Sequence, residues 1–98
     1  MPKPLPYSNE NAEMLAVQAL AFIAEDENRL GGFIASTGVA PQSIRDAARS
    51  ADFLAGVLEH MLADETLLIA FAETAGIDPG EVARARQKLG KVWERDLP

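Results

Sequence analysis

DETLLIAFAETAG, residues 64–76, is the helix-length stretch whose middle is apolar on every side. Leu67, Leu68, Ile69, Ala70, Phe71 and Ala72 follow one another without a charge, so helical spacing leaves no face for water. A helix of that kind is expected to be buried, and the stretch reads as the central post of the domain. Asp64 is placed to accept the first free backbone amides as N-cap, and Gly76 to end the helix in a left-handed conformation.

The flanks are punctuated in the same way. Upstream, Ser50 or Asp52 opens a helix whose seam is Phe53, Leu54, Val57, Leu58, Met61 and Leu62. Downstream, Asp78, Pro79 and Glu81 supply a cap, a proline at the first helical position and a carboxylate three residues after the cap. The helix they start carries Val82, Ala85 and Leu89 on one face and then meets Gly90; KVWERDLP, residues 91–98, either continues it or frays.

Toward the N-terminus, an almost wholly apolar helix is predicted over 11–25, which must also be largely covered. Asp26 then caps a helix with the stripe Leu30, Phe33, Ile34 and Thr37. Gly31 and Gly32 inside it cost about 1 kcal/mol each relative to alanine, which predicts close approach by a neighbour or a local break. Gly38 closes that helix, and Pro41 starts a short one running through Ile44 and Ala47 to about Arg49. Pro2, Pro4 and Pro6 favour an extended leader over residues 1–10. No stretch alternates with the period of a strand, so the fold is all-α.

The six predicted helices fall into two similar units. An offset of 38 residues pairs Leu20 with Leu58, Asp26 with Asp64, Leu30 with Leu68, Phe33 with Phe71, Gly38 with Gly76, Pro41 with Pro79 and Ala47 with Ala85. A duplicated three-helix unit, about 12–49 and 50–87, competes with chance agreement between helices that obey the same capping rules. The expected architecture is a single six-helix domain over 11–90, a tail over 91–98, and the first and fifth helices innermost. His60 aligns with Phe22, which makes it a packing residue rather than a catalyst.

Composition narrows function. Ninety-eight residues make one domain with a radius of gyration of about 13 Å. Cysteine is absent, which removes disulfides and thiolate sites. No signal-peptide core or bilayer-length apolar run is present, so a soluble cytoplasmic protein without membrane contact is the expectation. The net charge of −6 divides into −8 over residues 1–80 and +2 over 81–98. An acidic body repels phosphate backbones, so nucleic acid is a disfavoured partner.

Three motifs bear on chemistry. Gly38, Val39 and Ile44, and again Gly76, Ile77 and Val82, have the spacing of a helix-turn-helix corner. If that corner reads DNA, Gln42, Ser43, Arg45 and Arg49, or Arg84, Arg86 and Lys88, would face a major groove. Secondly, Arg84, Lys88, Lys91 and Arg95 recur at spacings of four, three and four, so a continuous helix would align them, with Trp93 beside Leu89. This face suits an acidic partner, or complements the helix C-terminal dipole. Thirdly, the acid pairs Asp26 with Glu27 and Asp64 with Glu65 are explained by their place at helix starts. No phosphate loop, nucleophile elbow or histidine-base arrangement is present, and no metal or cofactor site is expected.

The segments LAVQALAFIAEDENRLGGFIASTGV and FLAGVLEHMLADETLLIAFAETAGIDP, with the spacing between them, resemble a family of short, uncharacterised bacterial all-α proteins of roughly this length, described only as a domain of unknown function. The resemblance covers most of residues 12 to 85 and implies the helical fold without implying a catalytic or binding residue. The expectation is therefore a non-enzymatic module that binds an unidentified protein partner through Arg84, Lys88, Lys91, Trp93 and Arg95. The alternative is a DNA-binding protein with a helix-turn-helix-like corner. Association as a homodimer is compatible with either.

Overall fold

Short polar side chains set the helix starts. The computed structural model of the chain describes residues 9–95, with side chains over residues 11–89. Among the described residues six α-helices follow in order: α1 (Asn9–Ala24), α2 (Glu27–Thr37), α3 (Ile44–Ala47), α4 (Ala51–Ala63), α5 (Glu65–Ala75) and α6 (Pro79–Arg95), with a 3-10 turn at Pro41–Ser43 before α3. None of these residues lies in a strand, and the chain is all-α. The expected leader lies outside the described residues over positions 1–8, as do residues 96–98 of the tail. The other tail residues, 91–95, continue α6.

Asp26 Oδ1 accepts the amides of Asn28 at 2.8 Å and Arg29 at 3.2 Å. Ser50 Oγ accepts the Phe53 amide at 3.3 Å, and Asp64 Oδ1 the Leu67 amide at 3.1 Å. At α6 the exchange runs both ways: Gly80 N–H donates to Asp78 Oδ1 at 2.8 Å, and Asp78 N–H donates to Glu81 Oε2 at 3.2 Å. That reciprocal pairing is a capping box, and it satisfies amides that a helix start otherwise leaves free. Gly38 and Gly76 close α2 and α5 at φ 74° and 70°, a left-handed conformation that costs a side chain about 1–2 kcal/mol.

The core is a mutual packing of α1, α4 and α6, with α2 against α1 and α5 against α4. Alanines 12, 16 and 19 are fully buried on α1 beside Leu15 and Ile23, and Ala85 is fully buried on α6 between Val82 and Leu89. Small residues at helical spacing let helix axes approach closely while the larger side chains fill the volume between them. Val57, Leu58 and Met61 of α4 are fully buried in the same cluster. Each such large side chain contributes on the order of 1.5–3 kcal/mol through burial.

Three expectations need correction here. α5 is not the central post: only Leu67, Phe71 and Ala72 are buried on it, and Ile69 remains 45% exposed. α6 holds the inner position instead. A domain this small has one core layer, and the long α6, with Ala85 at its waist, fits between α1 and α4. Meanwhile α5 is folded back by the one-residue junction at Asp64 and offers one side to its neighbours. Secondly, α1 is covered on one face only; Met14 is 59% and Val17 46% exposed. Thirdly, Gly31 and Gly32 mark neither a close approach nor a break. Both are exposed, α2 runs through them unbroken, and a Cβ at either position would meet no atom within 4 Å.

Candidate functional site

Of the basic face expected on the last helix, the described side chains are Arg84 and Lys88 of α6. The capping box at Asp78 and Glu81 fixes its start, and burial of Val82, Ala85 and Leu89 fixes its rotation. Arg84 then lies in the exposed part of the helix surface, and Lys88, one turn later, is half-buried. The i,i+4 spacing brings these two cations to one face. Lys91, Trp93 and Arg95 belong to the last turns of α6, two, four and six residues beyond Leu89, and their side chains lie outside the described residues.

Arg86 points elsewhere. Its Nη2 lies 3.3 Å from Glu59 Oε1 on α4, and its Nε is buried without a hydrogen-bond partner. With Glu59 well exposed, the pair is worth about 0–1 kcal/mol. Its effect is to clamp α6 to α4, which removes Arg86 from the cations presented outward. Sequence spacing did not reveal this pairing, because Glu59 and Arg86 are neither on one helix nor within one motif.

The helix-turn-helix-like corners form as backbone turns at Gly38 and Gly76, and Val39, Ile44 and Ile77 pack against the core as the spacing requires. The segments after them differ. After Gly38 comes a 3-10 turn and α3, whose four residues span about 6 Å. Gln42 and Ser43 of the 3-10 turn, Arg45 of α3 and Arg49 after it are exposed. After Gly76 comes α6, whose first half is held in the core.

His60 packs as a ring. Its centroid lies 5.2 Å from that of Phe33 at 83°, and Phe53 meets Phe33 from another side at 5.8 Å. The carboxylates of Asp26 and Asp64 are engaged as caps. Among the described residues no group of three or more His, Asp or Glu gathers where a metal could be held.

One feature escaped the sequence reading. The outward stripe of α1, Met14, Val17 and Ala21, is flanked by two shallow grooves that share Gln18. One, of about 410 Å³, is completed by Glu13, Ala48 and Leu54; the other, of about 300 Å³, by Phe22, Glu25, Phe71, Thr74 and Ala75. Since α1 is apolar nearly all round, its sequence could not distinguish the stripe that faces α4 and α6 from the one left outside.

Residues 9–91 match the family described as "Protein of unknown function (DUF3572)". The chain belongs to that family. The match spans all six helices and both glycine corners, so the DUF3572 family embraces the core and the first three turns of α6. No curated protein and no solved structure matches the chain. Among the described residues no helix is long and apolar enough to cross a membrane.

Proposed function

We propose that the chain is a non-enzymatic, cytoplasmic protein–protein interaction module that works without a cofactor. The observation that carries this reading is the division of α6. One row, Val82, Ala85 and Leu89, is spent on the core, while Arg84 is left outside and the helix runs on past Leu89 with Lys91, Trp93 and Arg95 in its sequence. A helix anchored at one end and basic along one row suits an acidic partner surface, and Trp93, which by helical register follows Leu89 on the other side of the helix, is the aromatic anchor of the reading. The test is capture of partner by wild-type chain and by Lys88→Glu and Trp93→Ala variants, read beside their melting curves. The reading predicts loss of capture at unchanged stability. Lowered stability with capture retained would make these residues part of the fold.

DNA binding through a helix-turn-helix-like corner is the second reading, and the turns at Gly38 and Gly76 are compatible with it as with any glycine-closed helix. Against it stand the shortness of α3 and the acidic body. A steep salt-dependent shift of duplex DNA by the purified chain supports it, and unchanged mobility at low salt removes it.

We also read the chain as a duplication, with α1 and α2 equivalent to α4 and α5. Matching caps at Asp26 and Asp64 and matching glycines at Gly38 and Gly76 support this. The third members have diverged, α3 to four residues and α6 to seventeen.

A further inference from the structure

The outward stripe of α1 is an apolar surface with no partner in the fold. Met14 and Val17 are two of the three large hydrophobic side chains left exposed among the described residues, and both line the groove that reaches Leu54 and Ala48. Across Gln18 the second groove continues the surface to Ala21, Phe22 and Phe71. From Glu13 to Glu25 the surface spans twelve helical residues, about 18 Å, the length of a helix of three turns.

Charge decides between occupants. Glu13 lines one groove and Glu25 the other, α1 contains no lysine or arginine, and Arg29, which stacks on Phe22 beside the second groove, is engaged with that residue's ring and carbonyl oxygen. Antiparallel pairing with the same face of a second copy would set Glu13 of one chain toward Glu25 of the other, and α1 itself supplies no cation to compensate. An extended peptide finds no strand edge to join among the described residues. We propose that this surface docks a basic amphipathic helix of another protein, whose apolar row lies along Met14, Val17 and Ala21 and whose lysines or arginines meet Glu13 and Glu25. This is the helix-in-groove mode, read as anchors at i, i+3 and i+7. The proposal rests on the interaction-module reading but uses a face distinct from the basic one on α6.

The probe is a synthetic leucine–lysine amphipathic peptide, compared with a scrambled isomer of the same composition, titrated into the isotope-labelled full chain and followed by amide chemical shifts. The expected result is saturable binding of the amphipathic isomer, with shifts concentrated at Met14, Val17, Gln18 and Ala21. Val17→Asp should weaken it about tenfold or more at an unchanged melting temperature, since Val17 is exposed. The paired charge reversal Glu13→Lys with Glu25→Lys should weaken it as well, and Lys88→Glu should not. Equal binding of the scrambled isomer, shifts that map elsewhere, or indifference to Val17→Asp overturns the proposal. So does a homodimer in solution that buries Met14 and Val17. If the peptide fails while partner capture still depends on Lys88, the groove is wrong and the module reading survives; if both fail, both are wrong.

Discussion

Phe22 of α1 packs against Phe71 of α5, ring centroids 5.5 Å apart and planes tilted by 55°. An offset of 38 residues carries Phe22 to His60 and Phe33 to Phe71, and Phe33 and His60 are themselves in contact at 5.2 Å. The offset therefore exchanges the two contacts: α1 touches α5 through one, and α4 touches α2 through the other. Arg29 adds to the first pair, with its Cζ 3.9 Å above the Phe22 ring and its Nη1 donating to the Phe22 carbonyl oxygen at 3.2 Å. If the two pairs are equivalent, His60→Phe should be tolerated and raise stability by about 0.5–1.5 kcal/mol, because an aromatic already fills the corresponding place. Urea denaturation measures this, and a loss of stability would argue against equivalence.

The position of α6 at the centre predicts an inversion of the ranking that hydrophobicity suggests. Leu89→Ala, on the charged helix, should cost about 2–5 kcal/mol as a buried large-to-small change. Ile69→Ala, in the most apolar stretch of the chain, should cost less than about 1 kcal/mol because that side chain is largely in water. Midpoints of chemical denaturation for the two variants rank them directly.

Glycines divide into two kinds with opposite responses. Gly31→Ala and Gly32→Ala should each stabilise the chain by about 0.5–1 kcal/mol, since both sit in a regular helix with open space for a Cβ. Gly38→Ala and Gly76→Ala should each destabilise by about 1–2 kcal/mol, since their φ values lie in the left-handed region. Thermal melts of the four variants should separate into two groups about the wild type.

The caps predict an order. Asp26→Ala removes an acceptor from two amides and Asp64→Ala from one. Both should cost about 0.5–2 kcal/mol, with Asp26 the larger. Amide hydrogen exchange at Asn28, Arg29 and Leu67 would locate each loss at its helix start.

What the sequence made legible was local. Asp26, Ser50, Asp64 and the Asp78–Glu81 box declare themselves because a cap acts within three residues, and the seam of α4 and the inner face of α6 follow from helical periodicity alone. Centrality was not legible. The unbroken apolar run of α5 resembles a buried post, yet its place depends on how the one-residue junction at Asp64 folds it back, which periodicity does not encode. The shared row of Arg84 and Lys88 follows from their spacing, whereas the Arg86–Glu59 contact joins residues 27 positions apart and exists only once α4 and α6 are packed. The α1 grooves were missed for the same reason, since Met14 and Leu15 are equally apolar and differ only in which way the packed helix turns them.

The most direct test of the interaction-module account is affinity capture with the tagged full chain from its native host, run with and without nuclease, beside an Arg84→Glu, Lys88→Glu variant. Arg84 is exposed and Lys88 half-buried, both off the core row of Val82, Ala85 and Leu89, so the variant should melt close to the wild type. The account predicts a stoichiometric protein partner that survives nuclease and is lost by the variant. Recovery of nucleic acid, with bound proteins released on nuclease treatment, or capture that the variant leaves unchanged, would contradict it.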